Sequence, residues 1–76
     1  MTLDKLKIND SGVIAAVGGE GALRLRLLDM GLVPGTQVKV CKVAPMGDPI
    51  QIQVRGYELT LRQEDAANIT LREAAV

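Results

Sequence analysis

The side chains of this sequence equipped for chemistry are one thiol, Cys41, a scatter of carboxylates (Asp10, Glu20, Asp29, Asp48, Glu58, Glu64, Asp65) and the arginines at 24, 26, 55, 62 and 72. Histidine is absent, which removes the commonest general base and a frequent metal ligand. Paired acid/base catalysis needs two carboxylates converging on one bond. Only Glu64 and Asp65 adjoin, and neighbours on a turn point apart. A hard-cation site would have to gather oxygens from residues distant in sequence, and nothing in the spacing predicts one. Cys41 lies in Val40-Cys41-Lys42-Val43 with no activating partner nearby, so it reads as a small buried hydrophobe in a strand. Gly18-Gly19-Glu20-Gly21 has neither dinucleotide-binding nor P-loop spacing, and reads as a hinge or turn. No catalytic constellation emerges, and the chain is expected not to be an enzyme.

Nucleic-acid binding is not expected either. Single strands are held by a basic groove with aromatic platforms. Here nine basic and nine acidic residues cancel, and Tyr57 is the only aromatic residue. The arginines are expected mostly at solvated surface.

Seventy-six residues, 47% of them hydrophobic, make one domain with an aliphatic core, close to the lower size limit for a self-supporting fold. No segment approaches a membrane span, and the charges in Met1 to Lys7 argue against a signal peptide. A lone cysteine cannot form an internal disulfide, which fits a reducing compartment. A cytoplasmic domain without membrane insertion is expected.

The elements that must position these residues centre on Gly19 to Gly35. Leu23, Leu27 and Met30 mark a helix stripe, and from Glu20 to Leu32 no residue is β-branched. Gly31 stands where a left-handed helix stop is expected, with Pro34 beyond it. On a wheel those three apolar residues fall within about 60°, while Leu25 and Leu28 form a second facet, separated from the first by Arg24, Arg26 and Asp29. The plainer reading packs all five inside. The sharper one turns a facet, that of Leu25, toward a partner.

Around the helix the chain reads as short strands. Thr2 to Lys7 is expected to make one helical turn, and Asn9 to Gly12 a polar turn. Val13 to Val17, apolar on both faces, reads as a central strand. In Thr36 to Val43 the apolar phase slips after Val40, which predicts a bulge near Val40-Cys41 or a strand that bends from one side of a barrel to another. Ala44 to Pro49 is a loop with Met46 near its tip. Ile50, Ile52 and Val54 then alternate with polar residues, as do Tyr57, Leu59 and Leu61. A two-residue turn at Arg55-Gly56 pairs Val54 with Tyr57, Ile52 with Leu59 and Ile50 with Leu61, at the cost of either positive φ at Arg55 or a distorted loop. A turn over Gln63 to Ala67, a short strand over Asn68 to Arg72 and a frayed Glu73 to Val76 complete the chain. The expected fold is mainly β: a small, partly open barrel of about five strands with one inserted helix and short helical turns.

The run Arg26-Leu27-Leu28-Asp29-Met30-Gly31-Leu32-Val33-Pro34-Gly35, then Val38-Lys39-Val40, Ala44-Pro45-Met46-Gly47-Asp48-Pro49-Ile50 and Leu59-Thr60-Leu61-Arg62, resembles the FeoA family, ferrous iron transport protein A, over nearly the whole chain. The resemblance implies an SH3-like barrel. It also implies a small cytosolic accessory of ferrous iron uptake that docks on the cytoplasmic, GTPase-containing region of the FeoB permease and modulates or assembles it. The family concerns iron homeostasis and transition metal ions, but no cofactor or metal ligand is assigned, and direct ferrous iron binding is not predicted. Arg24, Leu25, Leu28 and the loop residue Met46 are the candidate partner-binding residues. Leu25 stands where a polar or basic residue is expected in that family, and weak self-association is the other use of its facet. A variant makes Arg24 or Arg26 an arginine finger on the GTPase. Two rival readings share the architecture: a regulatory domain like the C-terminal domain of iron-dependent repressors, and a small nucleic-acid-binding barrel. The absence of a helix-turn-helix and the starting methionine favour the accessory.

Overall fold

Gly31 ends the helix as its position predicts. The structure, a computed structural model, describes residues 1–72, and the expected fraying of Glu73 to Val76 lies outside them. Helix α1 runs Gly21–Asp29. Gly31 takes φ +92°, and its N–H donates to the Leu28 carbonyl at 3.0 Å while Leu32 N–H donates to that of Leu27 at 3.2 Å. This pair of bonds is a Schellman motif, and the apolar contact that accompanies such motifs falls to Leu27 and Leu32, both fully buried. The helix stop is therefore also a core contact.

Five strands follow in the order expected: β1 (Ser11–Val17), β2 (Gln37–Val43), β3 (Ile50–Val54), β4 (Tyr57–Leu61) and β5 (Ile69–Leu71), with a 3-10 turn at Leu3–Lys5 and a one-turn helix α2 at Gln63–Ala66. Their spatial order is β4-β3-β2-β1-β5, all neighbours antiparallel. The β3–β4 hairpin has the expected register, Val54 opposite Tyr57 and Ile50 opposite Leu61. Its turn places Arg55 at φ +48° and Gly56 at φ +84°, the signs that match the twist of a two-residue hairpin. In β2 the pairing to β3 slips between Val40 and Lys42, so the bulge falls at Cys41, which is half-buried.

Strand β1 is less regular than its alternation suggests. Its first half pairs with β2, Ser11 opposite Lys39, and its second half with β5, Val17 opposite Ile69. A register shift between Ile14 and Ala16 inserts one residue. Ile14 and Val17, three apart, thereby both face the core, and Ala15 and Ala16 lie outside. Gly12 allows the closure: a Cβ there would stand 2.9 Å from a Leu71 methyl.

The core inside this partly open barrel is aliphatic throughout, from Leu3 and Ile14 through Val38, Val40 and Ile52 to Ile69 and Leu71. Leu6, Leu23, Leu28, Met30, Val43 and Leu59 pack on its margin. Among the described residues no helix is long and apolar enough to cross a membrane.

Candidate functional site

Helix α1 presents three kinds of face. Leu27 enters the core, and Leu23, Leu28 and Met30 are half-buried against it. Leu25 points the other way and is 61% exposed. The plainer expectation, that all five pack inside, therefore holds fully for Leu27, partly for Leu23, Leu28 and Met30, and fails at Leu25. At 100° per residue Leu25 lies about 160° from Leu27, so no rotation of the helix buries both against one core. Leu28, about 100° from Leu27, reaches the margin of the core and offers a partner only part of its side chain.

Both arginines that flank this facet are tied down. Arg24 Nε donates to the Val17 carbonyl at 3.3 Å, folding back over the end of β1. Arg26 Nη2 meets Asp65 Oδ2 at 3.2 Å, which fixes α1 to α2. Asp65 is largely buried, while its neighbour Glu64 points out toward Arg62 at 3.6 Å. The two adjacent carboxylates diverge, as expected of residues on a turn. Tyr57 adds a third tie: its hydroxyl donates to the Met30 carbonyl at the C-terminus of α1.

Met46 stands at the tip of the β2–β3 loop and is 92% exposed. Two bonds shape the loop around it, Gly47 N–H to the Ala44 carbonyl at 2.7 Å and Ala44 N–H to that of Pro49 at 3.0 Å. Asp48 Oδ1 then accepts the N–H of Gln63 at 2.9 Å, and Gln63 Nε2 donates to the Gly47 carbonyl. An exposed thioether is thus held out on a loop pinned at its base. Pro49, at that base, borders an open groove of about 750 Å³ between α1 and α2, together with Leu23, Arg26, Met30 and Leu61.

Of the four candidate residues, the helix brings Arg24, Leu25 and Leu28 onto adjoining turns. Met46 lies on a separate loop, whose base bonds to α2, as α1 does through Arg26. Sequence reasoning missed both links, Asp48 to Gln63 and Arg26 to Asp65. Each joins residues far apart in the chain whose local spacing carries no signal. Among the described residues no three of His, Cys, Asp and Glu gather as a metal site would require.

Comparison with known proteins places this architecture. The FeoA domain family matches residues 1–73. An Fe(2+) transport protein A/Fe(2+) transporter FeoB fusion protein of Porphyromonas gingivalis is 42% identical over 69 residues, 91% of this chain. This chain spans only 8% of that relative's length. Among solved structures, the FeoA protein of Chlorobium tepidum is 43% identical, with a TM-score of 0.88 over 99% of this chain and 71% of that one. FeoA of Stenotrophomonas maltophilia in complex with zinc, described as an SH3 domain protein, is 29% identical, with a TM-score of 0.84 over 95% of this chain and 89% of that one. The partly open barrel is thus SH3-like, and the chain belongs to the FeoA family.

Proposed function

We propose that this chain is a cytoplasmic accessory of ferrous iron uptake that docks on the cytoplasmic, GTPase-containing region of a FeoB-type permease and modulates or assembles it by contact, without catalysing a reaction. The observation that carries the reading is the Porphyromonas gingivalis relative, in which a matching segment and a FeoB transporter occupy one polypeptide. Fusion holds two modules at high effective concentration, an arrangement suited to partners that act together. The surface supports it physically. Leu25 and Met46 are large, apolar and exposed, and each is presented by an element locked from behind. Contacts that are already ordered lose little freedom on binding.

Arg24, Leu25 and Leu28 supply one part of the docking surface and Met46 the other, with self-association as a competing use of the Leu25 facet. The family match over residues 1–73 favours this reading over a repressor's regulatory domain. An arginine finger is disfavoured, because Arg24 and Arg26 already donate within the fold. The test is a pull-down of the permease's cytoplasmic domain by this chain, with and without guanine nucleotide, comparing the wild type with Leu25→Ser/Met46→Ser. Retention by the wild type and loss by the folded double variant is the expected result. Equal retention by both would remove these residues from the interface.

A further inference from the structure

Residues of β1, β2 and β3, with the turns beside them, line an open pocket that shares no residue with the proposed docking surface. It has a volume of about 610 Å³ and is bordered by Ser11, Thr36, Gln37, Lys39, Gln53 and Arg55. Strand register puts most of these side chains in two rows. Ser11 pairs with Lys39 and Lys39 with Gln53. Two residues along β2, on the same face, Gln37 lies beside the hairpin turn at Arg55.

The charges here are of one sign. Lys39 and Arg55 both border the pocket and no carboxylate does. Among the described residues neither cation forms an ion pair; the pairs present are Arg26–Asp65 and Arg62–Glu64. Asp10, next to Ser11, and Glu58, opposite Gln53, keep their charge but lie outside the lining. Asp10 Oδ2 accepts the N–H of Lys7 at 3.2 Å, and Glu58 accepts from Gln51 Nε2.

Arg55 is also held in place. Its backbone has φ +48°, and its Nη2 donates to Oγ1 of the buried Thr36 at 3.3 Å. A guanidinium has five N–H donors, so one bond to Thr36 leaves a free edge for a planar or tetrahedral oxyanion. The Thr36 hydroxyl, accepting from Arg55, still has its own proton to donate. Two cations, two hydroxyls and two carboxamides around one pocket form a donor set suited to an anion.

From this we infer that the β1–β2–β3 face is a binding site for a phosphate-type oxyanion, held by Lys39 and Arg55 with Thr36 positioning the guanidinium. The pocket is large enough for a phosphate carried on an organic group, so free phosphate and the terminal phosphate of a nucleotide share the same chemistry.

The test is an NMR titration of the full chain, following backbone amides, with inorganic phosphate and, separately, with adenosine 5′-diphosphate. Sodium chloride at matched ionic strength is the control. Saturable shifts at Thr36, Gln37 and Gly56 are expected, weakened about tenfold in Lys39→Gln and in Arg55→Asn, the loss expected from removing one charge-assisted bond. Asparagine tolerates positive φ, so the second variant keeps the turn, and dispersed amide spectra establish that both variants are folded. Tighter binding of the nucleotide than of phosphate identifies an organic phosphate as the ligand, and equal or weaker binding identifies the free ion. Shifts that do not saturate, that chloride reproduces, or that persist unchanged in both variants would overturn the assignment.

Discussion

Asp48 accepts the backbone N–H of Gln63 at 2.9 Å, and so caps a helix that begins on the far side of the β3–β4 hairpin. The first N–H groups of a helix have no partner within it, and α2 obtains no cap from its own Arg62. Asp48→Ala is expected to cost about 1 kcal/mol, the usual value of a lost cap, and Asp48→Asn much less. Urea denaturation measures the difference. Amide exchange at Gly47 should accelerate along with it, since Gln63 holds the loop at both atoms.

The helix stop gives a second prediction. Gly31 has φ +92°, and a Cβ there would lie 3.0 Å from the Tyr57 hydroxyl oxygen. Gly31→Ala should destabilise by about 1–2 kcal/mol from the left-handed backbone alone, with further loss from displacing Tyr57. In Tyr57→Phe that oxygen is gone, so the two substitutions together should cost less than the sum of the two alone. A thermal-denaturation cycle over the four proteins reads the coupling.

Leu25 and Leu27 stand two residues apart with opposite fates. Leu27→Ala is expected to cost about 2–5 kcal/mol, as for other fully buried leucines. Leu25→Ser should stay within about 0.5 kcal/mol of wild type, while weakening permease binding. Chemical denaturation and the pull-down together distinguish a core residue from a contact residue on the same helix.

How far the sequence discloses this molecule depends on the range over which each signal acts. The β3–β4 register, the bulge at Cys41 and the stop at Gly31 were legible because alternation, phase slip and glycine are local signals. The bulge in β1 was hidden. Val13 to Val17 is apolar on both faces, so inserting a residue leaves no break in the pattern, and two alanines tolerate the outer side. The exposure of Leu25 was legible as geometry on a wheel but not as a fact, because an apolar facet serves equally well under a second layer of the same fold. Arg26–Asp65 and Asp48–Gln63 depend on the assembled tertiary fold, and no spacing in the chain announces them.

The Arg26–Asp65 pair gives a last prediction. The Arg26 side chain is 60% exposed, so solvent screens the pair and a double-mutant cycle should yield no more than about 1 kcal/mol. That coupling should shrink in concentrated salt. Stability measured for Arg26→Ala, Asp65→Ala and both together, at low and high sodium chloride, checks the value and its screening.

The divided pairing of β1 bears on how the molecule is made. Among the described residues, the latter half of that strand pairs with Ile69–Leu71, among the last of them to leave a ribosome. Until they emerge, the edge at Ala16 and Val17 has no ladder to join. Closure of that edge therefore waits for Ile69–Leu71, and a nascent chain paused before Ile69 would carry an open seam for other polypeptides to occupy.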